Sequence, residues 1–531
     1  MGQTTLARKG SPPETEARRS RFRVEGEHVV KSRRVIFVTA SIAMAFASLV
    51  TSQPRTAAAA ARPNVVIIMT DDQRWDTVTS RYMPRLARIL SKHTSVTFTN
   101  SFVPNSLCCP SRTSALTGDY SHTTGVYGNG GQWGGFHSFT PAPEGHSSSS
   151  INDTTTIAVD MQEAGYQTAL IGKYLNGYSS RFSNYTPPGW DRWFAVPTGA
   201  YYGYWAATKG ARSVVVRNRH FGTTSDDYIT RVLTNRAIRF IQNSDAEPFF
   251  LYYATTAPHT PAMPDPRDVG RFGLRGYVQS PSFGRVEAGA PTYIKSRPWD
   301  SSTAREVNSF HKLQLDSIYG VDRSIGQIWR ALPDDTIILF MSDNGYMWGE
   351  HRWQTKFVPY DSSLRIPITL FGKDLQSRFP TGSGPCPSMY AFATSCDGRI
   401  VLNVDVAPTL EQVAGVASNH AFEGLDMLTS ARKDFVLEHW YSRIYDAGRE
   451  PPTYCGVRSA GWMYVRYKKF EEPIYEGLYN EKADTWEMNN LAVTDPDAPT
   501  VAAVLQTMRN RAATLCRVDG GIYPNDWPFQ G

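Results

Sequence analysis

Short runs of β-branched and aromatic residues recur along the chain, each closed by turn-forming or acidic residues. The first, "PNVVIIMTDDQRWD" from Pro63, is followed by "YQTALIGKY" (166–174), "PFFLYYATTAPH" (248–259), "DTIILFMSDNG" (335–345) and "IPITLFG" (366–372). These runs are apolar rather than alternating, so they read as strands buried on both faces. Between them, apolar residues recur at steps of three and four. "MPRLARILSKH" (83–93), "DDYITRVLTNRAIRFIQNS" (226–244) and "LDSIYGVDRSIGQIWRAL" (315–332) therefore read as amphipathic helices. Strands alternating with helices predict an α/β domain on a largely parallel sheet with helices on both faces.

Two stretches carry no period. "YGNGGQWGGFHSF" (127–139) and residues from about 180 to 220 read as long loops. From about residue 435 the pattern changes. "GWMYVRYKKFEE" and "IYEGLYNEKADTWEMNNLA" alternate as antiparallel strands do, and "APTVAAVLQTMRNRAATLC" reads as a final helix. The expected organisation is a leader and linker over 1–62, an α/β domain over 63–434 and a smaller α+β unit with a short antiparallel sheet over 435–531.

The leader changes how the cysteines are read. "KSRRVIFVTASIAMAFASLVTSQP" sets a basic flank before an apolar stretch from Val35 to about Val50, and "RTAAAAA" supplies small residues for cleavage. That is an export signal, to the cell envelope, periplasm or outside, and Ser32-Arg33-Arg34 resembles a twin-arginine element. The apolar core is short of the roughly 20 residues a membrane span needs, so a cleaved signal is expected ahead of an uncleaved anchor, and no stable membrane partner is expected. The net charge of +6 comes largely from the first 34 residues, and no later block is basic enough to suggest nucleic acid. In an oxidising compartment the six cysteines should pair. Cys386 with Cys396 and Cys455 with Cys516 would use four, leaving Cys108 and Cys109 side by side. Asn152 and Asn184 begin Asn-x-Thr sequons.

The strand tips hold the chemistry, because ligands of α/β sheets gather beyond the carboxyl ends of the strands. Asp71-Asp72 ends the first run and Asp343-Asn344 ends "IILFMSDNG". Together they form an all-oxygen set suited to a hard divalent cation. Lys173, His259 and Lys356 fall at or near other tips, and Arg112 lies one helical turn beyond Cys108. Acids, cations and a cysteine on one rim suit a tetrahedral oxyanion.

Cys108-Cys109-Pro110-Ser111-Arg112 with Leu116-Thr117-Gly118 downstream resembles the sulfatase signature, Cys-x-Pro-Ser-Arg and Leu-Thr-Gly. "IIMTDDQ", "LIGKYLNGY", "TAPHTP", "MSDNGYMWGEHRWQTKFVPYDSSLRIP" and "NVDVAPTL" resemble further blocks of that family, in its order. The doubled cysteine and "GKYLNGY" resemble the branch of N-acetylglucosamine-6-sulfatases, heparan endosulfatases and bacterial arylsulfatases. The resemblance implies an alkaline-phosphatase-like fold with a large mixed, mostly parallel sheet. It also implies hydrolysis of a sulfate monoester, carried by an aryl group, a small molecule or a glycan. Cys108 would be oxidised to formylglycine (3-oxoalanine) by a formylglycine-generating enzyme that reads Pro110 and Arg112. Asp71, Asp72, Asp343, Asn344 and the converted Cys108 would hold Ca²⁺, in preference to Mg²⁺. Arg112 would hold the aldehyde hydrate, Lys173 and Lys356 the sulfate oxygens, and His259 would face the leaving group.

Where many sulfatases read Gly-Lys-Trp-His this chain has Leu175, so the second histidine's role is vacant or passes to Asn176 or another loop residue. Loop aromatics Trp133, Phe136, Tyr201, Tyr202 and Trp205 are candidate sugar or aryl platforms, or ordinary packing. Two other readings use the same residues: a phosphonate or phosphate ester hydrolase of the same superfamily, and a catalytically dead glycan-binding relative. Zinc-dependent phosphatase relatives tend to carry Ser or Thr as nucleophile and Asp-His where Asp343-Asn344 stands.

Overall fold

The computed structural model describes residues 62–529 except 179–184, 212, 214, 245–247, 274–278, 374–385, 446–449, 469–474 and 525–526. The export signal and Asn184 lie outside the described residues. Among those described, no helix is long and apolar enough to cross a membrane.

Sixteen strands are described. Ten form one sheet: β1 (Asn64–Thr70), β2 (Ser95–Phe102), β3 (Gln167–Lys173), β4 (Arg192–Val196), β5 (Trp205–Lys209), β6 (Arg217–His220), β7 (Phe249–Ala254), β8 (Thr336–Ser342), β11 (Ile368–Gly372) and β12 (Cys396–Leu402). A two-residue hairpin follows β8, β9 (Met347–Trp348) with β10 (Gln354–Thr355). The large sheet has the order β12-β2-β11-β8-β1-β7-β3-β4-β5-β6. Strands β8, β1, β7, β3 and β4 run parallel at its centre. Strand β11 runs against both its neighbours, and β5 against β4 and β6, which makes the sheet mixed. Every residue of β1, β7 and β8 is buried, as a parallel strand covered on both faces requires.

Four of the five strand runs appear as parallel central strands, and "IPITLFG" forms the antiparallel β11. The stretch from 180 to 220 is not a plain loop: it contains β4, β5 and β6. Strand β6, "RNRH", is exposed at every position, so neither hydrophobicity nor alternation marks it. The third helix begins at Ser301 rather than near Leu315. Its first turns are polar, and Asp300 starts it by accepting a hydrogen bond from the Thr303 amide at 2.8 Å.

Strands β13 (Asp434–His439), β14 (Thr453–Ser459), β15 (Trp462–Lys468) and β16 (Tyr475–Asn480) form an antiparallel sheet covered by the helix Pro499–Leu515. Its apolar face does not close on itself. Phe435, Tyr454, Val465 and Leu478 join one core with Phe102, Tyr127, Trp353 and Leu402. Disulfides link Cys386 to Cys396 and Cys455 to Cys516, while Cys108 and Cys109 are free. Asn152 is buried, and its side-chain amide donates to the Ser149 carbonyl at 2.8 Å, a turn role that leaves its sequon unavailable.

Buried His122 ties this sheet to the segment after the helix Cys108–Thr117. Its Nδ1 lies 2.6 Å from Glu438 on β13, and its Nε2 lies 3.2 Å from Glu423. Burial alone would lower the His122 pKa, but the two carboxylates outweigh it and push it up to about 10. A folded-state pKa above the unfolded value stabilises most at low pH. The contribution is complete below about pH 6.5 and is lost as pH rises through about 10. Melting midpoints across that range should show His122→Gln most costly at the acid end, with the gap to the parent closing toward alkaline pH.

Candidate active site

Two neighbouring strands set the centre of the site. In the β1–β8 pairing Thr70 lies opposite Ser342, so Asp71-Asp72 and Asp343-Asn344 leave the sheet side by side. Asp72 takes a left-handed backbone (φ 67°), which asparagine and aspartate tolerate better than most residues. Its amide donates to Asp343 Oδ1 at 3.1 Å, and the Asp343 amide donates to the Thr70 carbonyl at 3.0 Å. Carboxylate oxygens of Asp71, Asp72 and Asp343 all lie within 4.8 Å of one another, and all three residues are buried.

Three buried cations face the three acids. Lys173, at the tip of β3, donates to Asp71 Oδ2 at 2.6 Å. Arg112 donates through Nε to Asp343 Oδ2 at 2.8 Å and through Nη1 to the Lys173 carbonyl at 3.1 Å. Lys356 donates to Asp72 Oδ1 and lies 2.8 Å from Cys108 Sγ. Burial on its own would raise the Asp71 pKa, but Lys173, His259 and Arg112 hold it down at about 2. Burial would lower Lys173 and Lys356, and the facing acids raise both instead. Asp71 and the two lysines are therefore charged at neutral pH.

Cys108 opens a helix, Cys108–Thr117, that is buried along its whole length and ends at Gly118 in the left-handed conformation. Its Sγ lies 3.5 Å from Asp71 Oδ1. Burial pushes the Cys108 thiol far above its ordinary value, and Lys173 and Lys356 only partly oppose this. As a thiol it stays protonated and is a poor nucleophile. Cys109 turns the other way, accepting from the Asn176 amide at 3.1 Å. Arg112, one turn on, is carried back to the carboxylates, as the four-residue spacing predicts.

His259 follows β7 and is partly exposed. Its Nδ1 lies 2.7 Å from the Thr260 carbonyl, and its Nε2 lies 3.9 Å from Asp72 Oδ2. The structure thus gathers all nine residues singled out in sequence around one centre. It does not use all the loop aromatics. Phe136 and Tyr201 are core residues, Tyr201 donating to the His259 carbonyl at 2.7 Å. Trp205 is exposed on β5, and Trp133 and Tyr202 are half-buried. Asn129 escapes sequence reasoning altogether. Its Oδ1 accepts from the Cys109 amide at 2.9 Å and so caps the helix that carries Cys108, but it lies in a glycine-rich stretch where asparagine carries no signal.

One acceptor is left over. Asn344 donates through Nδ2 to Asp72 Oδ1 at 2.7 Å, while its Oδ1 is buried with no hydrogen-bond partner. A buried oxygen without a donor is costly, and beside three carboxylates it has the chemistry of a ligand to a hard cation. The residues present fit such an ion.

The Sulfatase family model matches residues 63–416, and the model described as N-sulphoglucosamine sulphohydrolase, C-terminal, matches residues 349–515. A putative extracellular sulfatase Sulf-1 homolog of Caenorhabditis elegans is 29% identical over 76% of this chain, which spans only 55% of that relative. The N-acetylglucosamine-6-sulfatase of Homo sapiens is 29% identical, with 88% of each chain covered. A solved structure in complex with its substrate, D-glucosamine-2-N,6-O-disulfate, superposes with a TM-score of 0.66 at 22% identity, covering 85% of this chain and 97% of the other.

Gly172 supports this geometry, since it precedes Lys173 with φ 135° and a Cβ there would stand 1.7 Å from the Ala254 carbonyl oxygen. Gly172→Ala must push β3 from β7 and move the lysine. A loss of roughly 2–4 kcal/mol is expected, read as a lower melting midpoint.

Proposed function

Because the chain belongs to the sulfatase family, we propose that it hydrolyses sulfate monoesters at the centre formed by Asp71, Asp72, Asp343, Asn344 and Cys108. The observation that carries this reading is the charge balance. Three buried carboxylates face three buried cations, with a spare amide oxygen and a cysteine between them. Adding a divalent ion would leave a net charge near +2 where a monoanionic sulfate ester enters, so the site would draw in and neutralise the substrate.

Cys108 is the residue that would be converted to formylglycine, whose hydrate would supply one hydroxyl to displace the alcohol at sulfur and a second to release sulfate by reforming the aldehyde. Asp71, Asp72, Asp343 and Asn344 would hold a divalent ion, proposed to be Ca²⁺, which would supply positive charge near the ester. The chain's own side chains do the rest. Lys173 and Lys356, fixed by Asp71 and Asp72, hold sulfate oxygens beside residue 108. Arg112 holds Asp343 and the β3 tip in place and reaches toward the hydrate. His259 has Nδ1 engaged by the Thr260 carbonyl, which leaves Nε2, near Asp72, to give a proton to the departing alcohol oxygen. Asn176, placed beside Cys109, is the candidate for the role that Leu175 leaves vacant.

A sulfated amino sugar is the proposed substrate class. The human relative's name and the disulfated glucosamine bound in the solved structure support it. Export is supported by the leader sequence and by the extracellular sulfatase relative.

Cys108→Ala and Cys108→Ser should fold normally and lose turnover of an aryl sulfate, at least 1,000-fold against the parent. Near-parental turnover in either variant overturns the assignment, and faster release from an aryl phosphate by the parent would favour a phosphate ester hydrolase. Mass spectrometry of the peptide holding residue 108 should find an aldehyde in the active fraction. Independently of activity, millimolar Ca²⁺ should raise the melting midpoint of the parent and leave that of Asp343→Ala unchanged.

A further inference from the structure

Away from the strand tips, a cavity of about 430 Å³ opens between the β3–β6 end of the sheet and the helix Ile229–Gln242. Five cationic residues line it: Arg192, Lys209, Arg219, Arg236 and Arg239. Among the described residues no Asp or Glu does, and none of the five takes part in an ion pair. Arg192 opens β4, four residues before Val196, which pairs with Lys173. At about 3.3 Å per residue this puts it roughly 13 Å from the catalytic tip of the sheet, toward the opposite end.

This cluster is built rather than merely exposed. Arg236 and Arg239 stand one turn apart on the same helix face. The Arg236 guanidinium lies 4.0 Å over the Phe194 ring, and its Nε is buried with no hydrogen-bond partner. Lys209 is steadied by the Trp190 carbonyl at 3.0 Å. Burial first, then the neighbouring Arg219 and Arg239, bring the Arg236 pKa down to about 10, and among the described residues no carboxylate pairs with these cations. Uncompensated, partly buried guanidinium groups are destabilising in isolation and are retained where an anion completes them.

We propose that this cavity is a second, non-catalytic site that binds a sulfated sugar unit of a glycan chain. The presence of an anion site follows from the cavity, and the choice of a sulfated sugar rests on the reading of the catalytic centre. The volume suits a small polar ligand rather than a folded partner. Planar guanidinium groups bind sulfate oxygens in pairs, and the buried rings of Phe194 and Phe240 lie under Arg236 and Arg192. A chain held here would keep its other residues near the protein surface between catalytic events.

The test uses full-length Cys108→Ala protein, which cannot consume the ligand, and calorimetric titration with a fully sulfated heparin tetrasaccharide. Two binding events per chain are expected, falling to one in the additional double variant Arg219→Ser, Arg239→Ser. Both arginines are exposed, so folding should be undisturbed. In the Cys108 background the same pair should leave kcat/KM on a small aryl sulfate within two-fold. One event in both proteins, or two in both, overturns the proposal. Displacement of the second event by equimolar inorganic phosphate overturns the sugar ligand. Loss of one event on the double substitution, from two to one or from one to none, decides this site whether or not the parent releases sulfate, so the two readings fail separately.

Discussion

Three carboxylates packed against one another at the ends of two parallel strands cannot coexist in a protein interior without opposite charge. That repulsion is the constraint around which the active-site region is built. Asp71, Asp72 and Asp343 are brought together by the in-register pairing of β1 with β8, so the sheet itself creates the problem. Each remedy comes from a different element: Lys173 from β3, Arg112 from the helix behind Cys108, and Lys356 from the segment after the β9–β10 hairpin. Removing any one would leave a buried charge exposed to its neighbours, which typically costs about 3–5 kcal/mol. Rigidity at the centre is thus a by-product of electrostatics.

The same constraint explains the location of the other chemistry. A helix that starts at Cys108 and returns Arg112 one turn later serves two purposes, presenting residue 108 to the acids and neutralising one of them. The antiparallel C-terminal sheet buries its apolar face against residues that follow β2 and β8, and His122 pins it there between two carboxylates. This second core stiffens the loops behind the site and is continuous with the sheet that carries it.

Much of this was legible in the sequence because it depends on local pattern. Fully apolar runs ending in acids located β1 and β8, and the four-residue step from Cys108 to Arg112 anticipated their convergence. The resemblance to sulfatases then supplied roles that spacing alone could not. What escaped was non-local or lacked a hydrophobic signature. Strand β6 consists of exposed polar residues and exists only because β5 offers it an edge. Asn129 caps a helix 20 residues earlier in the chain, through a loop whose glycines carry no period. Phe136 and Tyr201, candidate platforms by their loop positions, were drawn into the core by their apolar area.

On the proposed conversion, the burial of Cys108 would also give the protein a memory. Residue 108 has no exposed surface, and the helix it opens is enclosed along its length. If Cys108 is converted as proposed, a modifying enzyme would have to reach it on the extended chain, because folding encloses it. Chains that pass through unaltered should fold as well as the rest, since packing barely distinguishes a thiol from an aldehyde hydrate. A purified sample would then be a fixed mixture, its specific activity recording how well synthesis and modification kept pace in the cell that made it.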